Sequence, residues 1–305
     1  MEHAAWLWIP VTIWAALAQT LRNAAQRSLT GELGTLGATL VRFLYGLPFT
    51  VAWLVAVQAW RGEPWPVPPA GFYVWVTVGA VAQIAATAFL LRVMQERNFA
   101  LGVAYSKTEL IQIAIFGLIV LGDRVGVATA VAIAFGTVGV LLLSPADKQQ
   151  PLRALVTGWA TKSAAIGLAS GACFAVSVVG YRGATLSLDG ASFLLAAAVA
   201  LAVAQLIQTV LLGGWLTWRN PAVVRTTFRL WRPSLFAGFM GAAASVGWFT
   251  AFAIEPAAHV RTLALIELIF SYAVSRKLFR EKLTSLELGG IALLAVGLIV
   301  VTLGR

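Results

Sequence analysis

The chain has 305 residues, of which 60% are hydrophobic and only 11% charged, with a formal net charge of +10. Soluble domains carry about 25% charged residues, so this chain has too little polar surface to coat a water-soluble fold. That excludes a soluble enzyme, a nucleic-acid-binding module and, with Cys173 as the one cysteine, a disulfide scaffold.

A membrane span takes about 20 apolar residues. Apolar runs between charge and proline clusters predict ten of them, near Trp6–Leu21, Thr39–Trp60, Phe72–Leu91, Ala100–Leu121, Val125–Ser144, Ser163–Tyr181, Ser192–Leu212, Leu235–Ile254, Ala257–Phe279 and Ser285–Leu303. The expected fold is therefore an all-α integral membrane protein. Met1-Glu2-His3 lacks the basic start of a signal peptide, so the first run is expected to be retained as a span. Glu63 to Pro69 reads as a stiff proline loop, and Asp147 to Lys162 as the longest polar link. Tryptophans 60, 65, 159, 215, 218 and 231 fall at predicted span ends, as an interfacial aromatic belt requires.

Lysine and arginine set an expected orientation. Fifteen fall in loops opposite the termini and five on the termini's own side, while Arg42 and Lys107 lie within spans. By the positive-inside rule both termini face the periplasm of a bacterial cytoplasmic membrane. Clustering at span ends also explains the net charge without a nucleic-acid partner.

The chain repeats itself. A shift of 158 residues lays Glu109-Leu110-Ile111 on Glu267-Leu268-Ile269, Asp123-Arg124-Val125 on Glu281-Lys282-Leu283, and Val138-Gly139-Val140 on Val296-Gly297-Leu298. A shift of 160 lays Trp14-Ala15 on Phe174-Ala175 and Arg22 on Arg182. The expected domains are a first five-helix repeat at 1–147, a connecting loop at 148–162 and a second five-helix repeat at 163–305. Five is odd, so the second repeat enters the membrane with opposite polarity. Two inverted repeats about a central site are the architecture of alternating access.

With those segments, Asn98–Leu143 and Ile254–Val301, the chain resembles the drug/metabolite transporter superfamily, EamA type. Leu110 and Leu268 stand where that family often carries proline. The resemblance implies a ten-helix secondary carrier, often an exporter of amino acids, metabolites or drugs.

Ionisable groups inside spans are the informative ones, because a charge at the bilayer centre costs about 2.5–3.5 kcal/mol on insertion scales. Glu109 and Glu267, equivalent in the two repeats, are the candidates for proton coupling or substrate charge. At i±3 and i±4 Glu109 shares a face with Tyr105, Ser106 and Gln112. Lys107 points about 160° away at 100° per residue, so either it or Glu109 lines a cavity. Arg42 is expected near the membrane edge, as a snorkelling residue or as a ligand for a carboxylate or phosphate. Gln83 is the polar span residue singled out for the cavity; Gln19, Gln205 and Gln208 are expected mainly to bond between helices. Trp248, with Phe249 and Phe252, is a candidate stacking surface.

No G-x-x-x-x-G-K-[ST] loop, H-E-x-x-H or G-x-S-x-G is present, and His3 and His259 are too few for a metal centre. The expectation is a transporter without enzymatic activity or cofactor. Its partners would be a small-molecule substrate, protons as the coupling ion and membrane lipids, in a monomer or homodimer. The alternatives are an uncoupled facilitator or exchanger of amino acids or organic anions, and a non-transporting lipid-handling or assembly protein.

Overall fold

The computed structural model describes residues 6–96 and 162–279, with isolated positions 109, 126, 127, 130, 131, 134, 135, 138, 285, 289, 292, 293 and 296. Among the described residues every element is a helix. They are α1 (Trp8–Leu44), α2 (Leu47–Arg61), α3 (Ala70–Glu96), α4 (Lys162–Leu186), α5 (Phe193–Arg219), α6 (Pro221–Arg229), α7 (Trp231–Ile254), α8 (Ala257–Leu263) and α9 (Ile266–Phe279). Five described stretches are long and apolar enough to cross a membrane: Trp8–Arg61, Ala70–Glu96, Ala165–Leu186, Phe193–Arg219 and Trp231–Ile254. The expected spans at 100–121, 125–144 and 285–303 lie outside the described residues except at isolated positions, as do the acid-base turns of the repeat.

Polarity is turned outside in. On α5, Gln208 is 2% exposed while Val210, two positions on, is 61% exposed. Val51, Val55, Val74, Val78, Leu206 and Phe239 are exposed as well. A chain folded for water would bury these and expose the glutamine; a lipid solvent makes the observed choice the cheaper one.

The chain divides into two compact units, Met1–Ile84 with Val176–Glu255, and Ala85–Ala175 with Pro256–Arg305. In the first, the run from Trp8 to Arg61 is a folded hairpin. Gly34 breaks α1 with φ 64° and ψ 178°, a left-handed conformation that only glycine takes without strain. Gln26 Nε2 then donates to the carbonyl of Ala38 at 2.7 Å. In a straight helix those residues would stand about 18 Å apart, so the two limbs run back along each other. The first helical limb thus continues well past the predicted end at Leu21. Arg22 and Arg27, expected in a loop, are helical.

A second break separates α1 from α2. Pro48 lacks an N–H, leaving the carbonyl of Leu44 without its helical donor. Gln205 of α5 donates to the neighbouring carbonyls of Arg42 and Phe43, both at 3.3 Å. α2 ends on Gly62 in the left-handed cap conformation, φ 62°. Ser192 caps α5, its hydroxyl accepting from Leu195 N at 3.4 Å. α1 packs along α7, where Gly247 meets Ala15 and the carbonyl of Val11.

The loop from Gly62 to Pro69 is tied down by Glu63. Its carboxylate accepts from Ser192 N at 2.9 Å and pairs with Arg61 at 2.6 Å. The Ser192 N–H, followed by Arg61, holds the carboxyl below its ordinary pKa of 4.5. A depressed carboxyl stabilises the fold above its unfolded pKa and loses that contribution as pH falls through its folded value. The tether is therefore expected to be intact from pH 4.5 upward and to release below it. Hydrogen exchange at the Ser192 amide, corrected for intrinsic rates, should accelerate in that acid range, and Glu63→Gln should remove the pH dependence.

In the second unit, Ser170 Oγ of α4 donates to the carbonyl of Ala86 on α3 at 2.8 Å. The expected span Ala257–Phe279 is not one helix. It breaks at Ala264 and Leu265, where Leu265, Glu267 and Leu268 donate three residues back, to Thr262, Ala264 and Leu265. That is one tight turn between α8 and α9. Glu267 sits in the first turn of α9.

Candidate functional site

The first unit carries a polar seam inside its lipid-facing shell. Arg22 is 1% exposed and Arg42 is 2% exposed. Both side chains cross Gly241 of α7: Arg42 Cγ and Arg22 Cδ lie 3.1 and 3.4 Å from where a β-carbon on that glycine would sit. The absence of a side chain at Gly241 lets both stems lie close against α7. Arg22 also donates to Asn23 Oδ1 at 2.7 Å, and the Arg42 guanidinium lies 5.4 Å from the ring centre of Phe43.

Helical rise gives their depth. At about 1.5 Å per residue, Arg22 stands about 18 Å from the Gly34 turn, Arg42 about 12 Å from it, and Gly241 about 15 Å from the start of α7. Gly37, just past the turn, packs on Val223 of α6, so the Gly34 turn and the α6–α7 end share one side of the bundle. A hydrocarbon core is about 30 Å thick, so a Gly34 turn seated at its edge would put both arginines near mid-depth. Arg42 is buried in a helical limb that starts just after Gly34 and not at Thr39. Insertion scales put the cost of each such charge at about 2.5–3.5 kcal/mol.

One helical turn separates Gln205 from Gln208 on the same face of α5. Gln208 Nε2 donates to Gln83 Oε1 at 2.7 Å, to Tyr181 Oη at 2.8 Å and, more weakly, to the Ala80 carbonyl at 3.4 Å. Tyr181 Oη in turn donates to Gln83 Oε1 at 2.8 Å. The three side chains, from α3, α4 and α5, close a triangle in which Gln83 Oε1 accepts twice. The Tyr181 ring rests 4.4 Å from that of Phe249 and against Gly79.

Trp248 Nε1 donates to Gln19 Oε1 at 2.9 Å, and its ring stacks on Phe252 with centres 6.1 Å apart. Gln19 lies one turn from Arg22 on α1, and Trp248 two turns from Gly241 on α7, so this pair continues the arginine seam. Farther along α7, Arg182 Nη1 donates to the carbonyls of Phe252 and Glu255 at 2.6 and 3.0 Å. Phe252 lies in the last turn of α7 and Glu255 is its C-cap, and a cation there also meets the helix dipole. Arg182, expected in a loop, is a buried residue of α4.

Glu109 and Glu267 are both buried in the second unit. Glu267 follows the α8–α9 break in the first turn of α9, where the helix dipole favours negative charge. Tyr105, Lys107 and Gln112 lie outside the described residues.

Of the residues singled out from sequence, Gln83, Arg42 and Trp248 fall in the first unit's polar seam and each has polar or aromatic partners there. Arg22 and Tyr181 were missed as members of that seam. A signal existed for Arg22: it pairs with Arg182 under the 160-residue shift. Tyr181 offered none, being a tyrosine at a predicted span end, where interfacial tyrosines are ordinary.

No family model and no curated protein matches the chain. A solved crystal structure of another protein is similar over 98% of this chain and 99% of its own, with a TM-score of 0.72 at 18% identity. At that identity the likeness establishes a shared fold.

Proposed function

We propose that the chain is a secondary active carrier of a small organic molecule (a metabolite, amino acid or drug) in a bacterial cytoplasmic membrane. In this reading ten helices form two inverted five-helix repeats of the drug/metabolite transporter superfamily, EamA type. They expose the site alternately to either side, exporting substrate in exchange for protons at Glu109 and Glu267. The observation that carries it is the seam of Arg22, Arg42, Gln83, Gln208 and Trp248 at depth within a shell of lipid-facing apolar residues. Membrane proteins retain such costly groups where a substrate or ion passes. The interrupted helix leading into Glu267 adds support, since carriers build midplane sites from broken helices.

Proteoliposomes test the reading. Counterflow of an organic substrate should be driven by an imposed pH gradient, and Glu109→Gln or Glu267→Gln should abolish that drive while the protein still inserts. Absence of any counterflow across amino acids, organic anions and lipophilic cations would end the carrier reading in favour of a lipid-handling role. The arginine pair also favours a second reading, uncoupled exchange of organic anions, which predicts counterflow indifferent to the pH gradient.

Orientation is testable separately. Arg219, Arg225, Arg229 and Arg232 are exposed around α6, and Trp218 and Trp231 flank it. By the positive-inside rule this end faces the cytoplasm and both termini the periplasm. Arg225→Cys should resist an impermeant thiol reagent in intact cells and react in inverted vesicles; labelling in intact cells would reverse the orientation.

A further inference from the structure

We infer that α6 and its flanks form a docking surface for anionic phospholipid, in which Arg225 and Arg229 hold one phosphodiester headgroup between them. This face lies outside the polar seam, and it binds lipid whether or not the chain carries a substrate.

The segment is basic without compensation. The sequence holds no Asp or Glu from Gly190 to Ile254, while Arg219, Arg225, Arg229 and Arg232 fall within that stretch. All four are exposed, and no ion pair among the described residues involves any of them. Glu32, beside the Gly34 turn on the same side of the bundle, is exposed and pairs with none of the four. Packing decides where the charges point. Val223 meets Gly37 of α1, Val224 packs on the cluster of Leu40 and Leu212, and the Thr227 carbonyl accepts from Tyr45 Oη at 3.1 Å. Those contacts turn the opposite face of α6 outward, where Arg225 and Arg229 stand one helical turn apart. Like charges at that spacing, with β-carbons about 5–6 Å apart, repel each other. Arg229 makes only a long 3.4 Å hydrogen bond to Thr226 Oγ1. A phosphate between the two forks replaces repulsion by attraction and matches the paired donors of each guanidinium.

The surroundings select an amphiphile over other polyanions. Trp218 and Trp231 bracket α6, Phe228 lies between them, and all three are exposed. The Arg219 and Arg232 guanidinium carbons lie 5.6 and 5.3 Å from the ring centres of Trp218 and Trp231. Cation and indole thus share one layer, as they do at the headgroup level of a membrane. Next to that layer α5 exposes Leu211 and Trp215, and α7 exposes Leu235 and Phe236. A headgroup on Arg225 and Arg229 therefore has apolar surface beside it for its acyl chains. A nucleic acid or an acidic protein would meet the charges and leave that surface uncovered. A choline headgroup would bring its own cation to an all-positive face, so the net-anionic headgroups are the ones selected.

Binding is read on the full chain in dodecyl maltoside, a neutral detergent, from the shift of its thermal midpoint. The probes are dioctanoyl-phosphatidylglycerol, dioctanoyl-phosphatidylcholine, glycerol 3-phosphate and a single-stranded oligothymidylate, at matched ionic strength. Phosphatidylglycerol is expected to raise the midpoint at concentrations where the other three leave it unchanged. An arginine near an anionic lipid surface is worth about fivefold in binding. Arg225→Gln combined with Arg229→Gln should therefore weaken the lipid at least about tenfold. Arg225→Lys combined with Arg229→Lys keeps the charge and removes the forks; it should weaken the lipid at least about threefold, and it decides the matter if the glutamine pair fails to fold. Arg61→Gln, at the other end of α5, should leave the affinity within about twofold, and a loss there as large as in the glutamine pair would reduce the effect to net charge. An equal response to phosphatidylcholine would make the face ordinary lipid belt, and a response to glycerol 3-phosphate would make the ligand a soluble anion. Tighter binding of oligothymidylate would make it a nucleic acid. Any of these results, silence of phosphatidylglycerol, or affinity unchanged in both double variants would overturn the proposal.

Discussion

Gly180→Val is expected to destabilise the protein by about 2–4 kcal/mol, through helix separation and without loss of any polar group. A β-carbon at Gly180 would stand 2.9 Å from Gly79 Cα, 2.9 Å from the Trp75 carbonyl and 3.0 Å from Gly79 N. All three are backbone atoms of α3, which no rotamer change moves aside. Overpacking of this kind costs about 1–3 kcal/mol when the backbone must give. The shift also draws Tyr181 of α4 away from Gln83 of α3, now 2.8 Å apart, and an interhelical hydrogen bond in a membrane is worth about 0.6 kcal/mol. Gly214→Ala on α5 is the matched control. Nothing lies within 4 Å of its would-be β-carbon, so it should be neutral or stabilise by up to about 1 kcal/mol through helix propensity. Both are measured by thermal unfolding in nanodiscs. Equal midpoints for the two variants would mean that α3 and α4 do not meet at Gly79 and Gly180.

That contact shows what a one-dimensional reading can and cannot reach. The apolar runs around 39–60, 72–91, 192–212 and 235–254 are legible because lipid demands about 20 apolar residues in each span, whatever the neighbours. The helix ends are harder. The first and sixth spans were expected to stop at Leu21 and Tyr181, each just before an arginine, since a charge ordinarily marks the membrane edge. Instead, Arg22 is accommodated over Gly241 and Arg182 over the last carbonyls of α7. Both compensations come from a helix far along the chain, and nothing local announces them. The break before Glu267 is equally silent, because Ala264 and Leu265 are good helix formers. Gln83 was legible as a polar residue in a span. Its partners Tyr181 and Gln208 lie 98 and 125 residues away, beyond any local pattern. Glu63 to Pro69 reads correctly as a loop, since proline forbids helix by its own geometry.

The triangle of Gln83, Tyr181 and Gln208 should behave as one energetic unit, with Gln208 its most costly member to lose. Gln208→Leu removes a group that donates to three acceptors, one on each of two side chains and one on the α3 backbone. Tyr181→Phe removes one donor and one acceptor while keeping the ring against Phe249. Two magnitudes compete here. In water-soluble cores a buried polar atom deprived of its partner costs about 1–3 kcal/mol; in membranes the average hydrogen bond is worth only about 0.6 kcal/mol, because the unfolded chain also finds partners. A closed triangle favours the larger figure, since each removal weakens atoms that no solvent reaches. We therefore expect about 2 kcal/mol for Gln208→Leu and about 1 kcal/mol for Tyr181→Phe, from equilibrium unfolding. The double variant should fall short of their sum by at least about 0.5 kcal/mol, the signature of groups in direct contact. Strict additivity would dissolve the triangle into independent bonds.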